Sequence, residues 1–172
     1  MIKSFIKVLI YFVLFVSIQV LIMDNIHLFR IVTPFLYLYI ILKIPANVSR
    51  SYVIVISFLV GIVIDMFSNT LGMHAAACSL IGLIRNPLMI ILSNKELVED
   101  TTPSYRTFGV GAFVKYALSI IVIHHISLFL IESISLFDPV FLIFRIFAHV
   151  IFTAMFILII ETFNLERKKS ET

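Results

Sequence analysis

The chain has 172 residues, of which 61% are hydrophobic and only 13% are charged, and its formal net charge is +3. Soluble domains usually carry about twice this share of charged residues, so the composition excludes an ordinary soluble protein and indicates a membrane protein. The basic residues are scattered in ones and twos, which argues against a nucleic-acid partner, and the single cysteine excludes an internal disulfide.

Six apolar segments are long enough, or nearly so, to cross a bilayer as helices. We therefore predict an all-α integral membrane protein with one polytopic domain over residues 1–172. The predicted spans are residues 4–23, 31–44, 51–67, 71–92, 108–131 and 139–163, with a loop at 93–107 and a tail at 164–172. The first span is expected to be retained, because its apolar stretch is too long for a signal peptide and no small-residue cleavage site follows it. The second span is short and would need tilt or local thinning of the bilayer.

The distribution of Lys and Arg predicts that both termini are cytoplasmic. With six spans and the N-terminus inside, only Arg30 falls on the outer side, whereas the other basic connections and the basic tail fall inside. The loop at 93–107 would then be cytoplasmic, as either a solvated connector or a docking surface for a cytoplasmic protein. Its candidate contact residues are Lys95, Glu96, Glu99, Asp100 and Arg106.

Several ionisable side chains fall inside predicted spans, where each costs about 2.5–3.5 kcal/mol to insert. Asp65 lies near the outer end of the third span, where it either caps the helix or pairs with a cation. Arg145 and His149 are four residues apart and share one face of the sixth span. Because Asp65 and Arg145 are predicted to lie at the same depth, we expect a structural salt bridge between them, rather than an ion or proton relay.

Three other polar residues in the spans are expected to have structural roles. Arg85 is predicted to extend its guanidinium toward the cytoplasmic headgroups. His124 and His125 are adjacent, so they point to different faces of a helix, and each is expected to be neutral and bonded to a backbone carbonyl.

Small residues concentrate on the third and fourth spans, whereas aromatic residues are common on the others. Small side chains let helices approach closely within a membrane. This pattern predicts either tight packing within the chain or a groove for the membrane helix of a partner. The residues concerned are Gly61, Gly72, Ala75, Ala76 and Gly82.

The sequence has no motif typical of a membrane enzyme. It contains no HExxH, no GxSxG, no paired intramembrane aspartates and no Gly-rich phosphate loop. We therefore expect a non-enzymatic protein with no catalytic, cofactor-binding or metal-binding residues. An unusual site built from Asp65, His149 and Arg145 is the one enzymatic alternative left open.

The stretch GIVIDMFSNTLGMHAAACSLIGLIR, residues 61–85, resembles the rod shape-determining protein MreD family. Members of that family carry Gly-x-x-x-Asp at the end of one helix, a short polar turn, and then Leu-Gly and small residues at the start of the next. The matching residues here are Gly61, Asp65, Leu71, Gly72 and Ala75. The chain length, the number of spans and the basic tail are also similar. Asn69 stands where many relatives have Gly, but Asn tolerates the left-handed conformation.

The resemblance implies a non-enzymatic scaffold of the bacterial cell-elongation complex in the cytoplasmic (inner) membrane. Such a scaffold would bind MreC and link MreB filaments to peptidoglycan synthesis and cell shape, with RodA and its transpeptidase partner in the same assembly. The resemblance also implies a six-helix fold like that of the substrate-binding subunits of energy-coupling-factor transporters. The second hypothesis is therefore a transport subunit that captures a vitamin-type molecule in an outward-open cavity, with polar contacts from Asp65, His149 and Arg145.

Overall fold

The computed structural model describes residues 2–25, 32–70, 72–93, 101–133 and 138–170, and the regular elements in these ranges are helical. Three long helices and one short helix come first, namely α1 (Ile2–Leu21), α2 (Leu38–Leu42), α3 (Arg50–Ser68) and α4 (Met73–Ser93). The short α5 (Tyr105–Phe108) precedes α6 (Val110–Glu132) and α7 (Pro139–Ser170). A single 3-10 turn, Met23–Asn25, follows α1.

Four of these helices, α3, α4, α6 and α7, are long and apolar enough to cross a membrane. Within α1, the part at Val8–Leu21 is apolar but shorter. Many large apolar side chains on these helices are exposed, such as Leu9, Phe58 and Phe144, as expected where lipid replaces water. The prediction of an all-helical membrane protein is confirmed at this level, whereas the count of six spans stays a prediction.

The second predicted span, residues 31–44, is not a continuous helix. In its described part, residues 32–44, only Leu38–Leu42 is α-helical, and the chain before it is extended and then turns. Pro34 contributes to this break, because it has no backbone N–H and disfavours helical geometry at Thr33. The side chains from Tyr37 to Leu42 are fully buried. Non-helical backbone is tolerated at membrane depth only where protein covers it, and this segment is covered on every side.

The helices surround this buried segment. In sequence order, α3 packs on α4, α4 on α6 and α6 on α7, while α1 lies against α3. The short α2 contacts α1, α3 and α6. Residues 32–44, which we call the central segment, therefore form the middle of the bundle.

The α3–α4 hairpin has the closest helix contact. An ideal Cβ placed on Gly61 would lie 2.4 Å from the Cα of Ala75, and one on Gly82 would lie 2.9 Å from the Cα of Ile54. The two backbones therefore touch at both glycines. Ala75 is buried in the same contact. These three small residues thus pack within the chain and leave no groove for a partner.

Gly72 and Ala76 differ from the other small residues. Gly72 lies in the α3–α4 turn with φ of +76° and has open space around it, and Ala76 is exposed on α4. The five small residues therefore do not form one groove: three pack between α3 and α4, whereas Gly72 and Ala76 are exposed. The positive φ explains why glycine is suited to position 72.

Candidate functional site

The backbone of the central segment is held by polar side chains from the surrounding helices. The N–H of Phe35 donates to the Oγ1 of Thr153 over 3.0 Å, and the N–H of Leu36 donates to the Oε1 of Gln19 over 2.8 Å. The Nδ1 of His149 is 3.1 Å from the carbonyl of Thr33. These buried bonds replace the ones that a continuous helix would have made within itself.

Arg85 holds the other end of the central segment. Its side chain is fully buried, and it donates to the carbonyls of Ile41 and Ile44 and, over 3.1 Å, to the Oδ1 of Asn86. The prediction that Arg85 reaches the headgroups is wrong. The carbonyl of Ile41, in the last turn of α2, and that of Ile44, just beyond it, carry partial negative charge, so they attract the guanidinium inward.

A buried ion pair lies near the same end. The Nζ of Lys43 is 2.6 Å from the Oε2 of Glu161 on α7, and both side chains are less than 5% exposed. Glu161 also accepts from the Tyr39 hydroxyl over 2.7 Å and from the N–H of Tyr105 over 3.2 Å. Lys43 further donates to the carbonyl of Pro103 over 2.8 Å. This network ties the central segment, α5 and α7 together.

This network is not among the predictions from the sequence. Lys43 lies at the end of the second predicted span, and Glu161 lies within the sixth. The signal for the pair is an acidic residue, Glu161, within the sixth predicted span and a basic residue, Lys43, at the end of the shortest span. Because Lys43 and Arg85 are buried among protein groups, their charges bear less on orientation than those of the exposed basic residues.

Asp65 caps the N-terminus of α4 from the end of α3. Its carboxylate accepts from the backbone N–H groups of His74 and Ala75 over 3.1 and 2.9 Å. It also contacts the Thr70 hydroxyl and the Nδ1 of His74. Helix N-termini have unpaired N–H groups and favour a negative charge. The predicted Asp65–Arg145 salt bridge is therefore wrong, because the neighbouring helix end and His74 satisfy Asp65.

Arg145 instead pairs with Glu132 at the end of α6. Its Nη2 is 3.1 Å from the Oε2 of Glu132, and its guanidinium lies over the ring of Phe129, 4.6 Å from the centroid. The Arg145 and Glu132 side chains are 27% and 40% exposed. Arg145 thus has a carboxylate partner, but this partner lies on the preceding helix, α6, and not on α3.

Four histidines surround the ring of Phe35. Ring centroids of His74, His124, His125 and His149 lie 5.7, 6.0, 5.1 and 5.5 Å from that of Phe35. His124 and His125, which are predicted to point to different faces of a helix, both contact the ring of Phe35. In the part of the chain that the structure describes, no group of three or more His, Cys, Asp or Glu residues could hold a metal ion.

The two adjacent histidines have different bonds. His125 bonds through Nδ1 to the carbonyl of Ile121 over 2.7 Å, as expected, and its Nε2 is 3.3 Å from the Thr153 hydroxyl. His124 instead bonds through Nε2 to the Tyr37 hydroxyl over 3.1 Å. Its Nδ1 is buried with no hydrogen-bond partner.

A cavity of about 660 Å³ opens beside this cluster. It lies where the C-terminal ends of α1, α3 and α6 meet the N-terminal ends of α4 and α7, which is the end that we predict to be outside. Arg145 and His149 line it as the transport hypothesis expected, but Asp65 does not, because His74 and Thr70 stand in front of it. Its polar and ionisable lining residues are Gln19, Asp24, Thr33, Ser68, Thr70, His74, Glu132, Arg145 and His149.

Two other groups of predicted residues are not brought to this cavity. Arg106 is exposed in α5, near the opposite end of the bundle. Its companions as candidate cytoplasmic contacts, Lys95, Glu96, Glu99 and Asp100, lie outside the described residues, as does Leu71 of the family motif. The α3–α4 hairpin contains the rest of that motif.

Comparisons of the chain with protein-family models, with curated proteins and with solved structures returned no match.

Proposed function

We propose that the chain is a non-enzymatic scaffold of the bacterial cell-elongation complex, in the manner of the MreD family. In this proposal it lies in the cytoplasmic membrane with six spans and both termini inside, and binds MreC. Through MreC it links MreB filaments to the peptidoglycan polymerase RodA and its transpeptidase partner. The lipid bilayer is its environment, and no nucleic acid is involved.

The observation that carries this proposal is the joint geometry of the motif residues. Gly61 lets α4 approach α3 backbone to backbone, and Asp65, one turn later, then reaches the free N–H groups of His74 and Ala75. Asn69 ends α3 with φ of 53°, and its N–H bonds to the carbonyl of Asp65. The spacing that resembles the family is therefore the spacing that this hairpin needs, which supports a shared fold and, through it, a shared function.

The exposed face of α4 is our choice for the contact with MreC. Ala76, Leu80, Leu83 and Ile90 follow one another at helical spacing and are all exposed. Contact with lipid also requires exposed apolar side chains, so exposure by itself does not indicate a partner. Ala76 is the small residue among them, and a small residue lets the single membrane span of a partner come close.

Replacement of Ala76 tests this choice. The Ala76→Trp variant should recover at least fivefold less MreC in co-purification from membranes, because the larger side chain would hold the partner helix away. The Leu118→Trp variant is the control, since Leu118 is an exposed apolar residue on α6. Equal recovery of MreC with both variants would reject the α4 face, and no recovery with the unmodified chain would reject the scaffold.

The cavity supports a second candidate, capture of a small molecule for transport. Its volume falls within the usual range for ligand pockets, about 300–1,000 Å³. A purified chain carrying a stoichiometric vitamin-type molecule, detected by mass spectrometry, would favour this candidate. A neighbouring gene that encodes a periplasmic coiled-coil protein would favour the scaffold.

A further inference from the structure

Among the described residues of the cavity wall, the carboxylates outnumber the guanidinium and ammonium groups. Two carboxylates, Asp24 and Glu132, and one guanidinium, Arg145, line it. Glu132 and Arg145 form an ion pair. Asp24 accepts only from neutral groups among the described residues: the Nε2 of Gln19 over 2.8 Å and the Oγ of Ser68 over 3.3 Å. Among the described residues of the wall, Asp24 is thus the carboxylate that has no cationic partner.

Asp24 is held in place by a chain of bonds that starts in the core. The Oε1 of Gln19 accepts from the backbone N–H of Leu36, so the amide nitrogen of Gln19 must point toward Asp24. Gln19 is fully buried. A carboxylate has acceptor capacity for about four hydrogen bonds, and these two contacts leave part of it unused. The carboxylate is thus preorganised but not neutralised.

Besides its nine polar and ionisable residues, the wall has seven aromatic or aliphatic ones. Phe35, Phe67 and Phe129 contribute aromatic rings. Ile64, Met73 and Leu128 add aliphatic surface. A ligand that suits this lining has an apolar body for these side chains and one positive charge for Asp24.

We propose that the cavity binds a primary ammonium group attached to an apolar body, with Asp24 as the counter-ion. Two sources share this chemistry: a free amphiphilic amine, and the headgroup of an aminophospholipid from the adjacent leaflet. The inference concerns the cavity alone and does not depend on MreC binding. For the second candidate function it names the class of cargo.

An Asp24→Asn variant separates the charge from the structural role. Asn keeps an oxygen acceptor for Gln19, and its amide nitrogen can donate to the Ser68 hydroxyl, so the local fold should remain, but the counter-ion is lost. Asp138→Asn is the matched control. Asp138 lies at the same end of the bundle, is exposed, and caps α7 by accepting from the N–H groups of Val140 and Phe141, which Asn can also do.

The test is thermal unfolding of the full chain in dodecyl maltoside, followed by circular dichroism, with phenethylamine and its neutral analogue 2-phenylethanol as probes. Phenethylamine should raise the midpoint of the unmodified chain and of Asp138→Asn in a saturable way, and 2-phenylethanol should not. For Asp24→Asn the apparent affinity for the amine should fall at least tenfold, equivalent to about 1.4 kcal/mol. Equal effects of the two probes, or an unchanged affinity in Asp24→Asn, would overturn the proposal.

A second variant covers the case in which Asp24→Asn does not fold. Met73→Trp keeps the charge but fills the cavity, since Met73 is a partly buried lining residue. The amine should no longer raise its midpoint. A full response of this variant would place the amine elsewhere and would overturn the proposal.

Added lipid distinguishes the two sources. If the headgroup is the ligand, phosphatidylethanolamine should compete with phenethylamine, and native mass spectrometry should show it retained by the unmodified chain but not by Asp24→Asn. If a free amine is the ligand, the amine response should be the same with phosphatidylethanolamine and with phosphatidylglycerol. MreC recovery with Asp24→Asn should be normal in both cases, so failure here is distinct from failure of the scaffold.

Discussion

The α3–α4 hairpin and the central segment solve the problem of backbone polar groups in a membrane in opposite ways. The hairpin consists of two complete helices, so the backbone groups that still need a partner are at the helix ends. The carboxylate of Asp65 accepts from N–H groups at the start of α4, which lie nine and ten residues further along the chain. The central segment is mostly non-helical and depends on distant side chains. Thr153 is 118 residues from its partner Phe35. Bonds between residues that are close in the sequence produce a recognisable motif, whereas bonds between distant residues do not.

The central segment also crosses much of the bundle. Thr33 contacts His149 at one end and Lys43 contacts Glu161 at the other. His149 and Glu161 are both in α7, where their spacing corresponds to about 18 Å along the axis at 1.5 Å per residue. The polar residues within the spans therefore serve largely to hold this segment, which explains why they occur in an otherwise apolar sequence.

The largest effect should come from breaking the buried pair that anchors the central segment. Glu161→Ala leaves Lys43 buried without its counter-ion, and removal of one partner of such a pair typically costs about 3–5 kcal/mol. We expect a marked loss of the chain from membranes in an immunoblot. The double variant Lys43→Met/Glu161→Leu should recover most of it, because no unpaired charge is left. A double variant less abundant than Glu161→Ala would contradict this account.

The hairpin should respond strongly to one added methyl group. In Gly61→Ala the new Cβ would lie 2.4 Å from the Cα of Ala75, so the two helices must separate, and overpacking of this kind costs about 1–3 kcal/mol. Gly111→Ala is the control, because Gly111 is a helical glycine with open space around it. There, alanine should be neutral or stabilising by up to about 1 kcal/mol. The comparison is made by thermal unfolding in detergent, and equal midpoints for both variants would contradict the close contact.

These two regions also show how much the sequence could predict. The spans at 51–67, 71–92 and 108–131 differ from α3, α4 and α6 by at most two residues at each end, because an unbroken apolar run must be helical in lipid. The last helix reaches Ser170 rather than residue 163, since hydropathy marks where the chain leaves the lipid and not where the helix ends. The sequence indicates Arg145 and His149 as lining residues of a cavity. It does not indicate Asp24, because the position of the Asp24 carboxylate depends on the bond between Gln19 and Leu36.

A moderate effect is expected from one of the distant bonds to the central segment. Thr153→Val keeps the shape of the side chain but removes the acceptor for the N–H of Phe35, and an unsatisfied buried donor costs about 1–3 kcal/mol. Thr162→Val is the control. The Thr162 side chain is exposed and donates to the carbonyl of Leu158 in its own helix. Thermal unfolding should place the midpoint of Thr153→Val several degrees below that of Thr162→Val, and coincident midpoints would mean that Phe35 does not need Thr153.

The smallest effect should come from Arg145, although a cation in the sixth predicted span looked costly to disturb. Its partner Glu132 is 40% exposed, and partly exposed ion pairs contribute about 0–1 kcal/mol. Arg145→Gln should therefore leave membrane abundance near that of the unmodified chain, and adding Asp65→Asn should not restore anything. If Arg145→Gln were instead as scarce as Glu161→Ala, and Asp65→Asn rescued it, Arg145 would be bound to Asp65 after all. The hairpin would then depend on distant contacts as much as the central segment does.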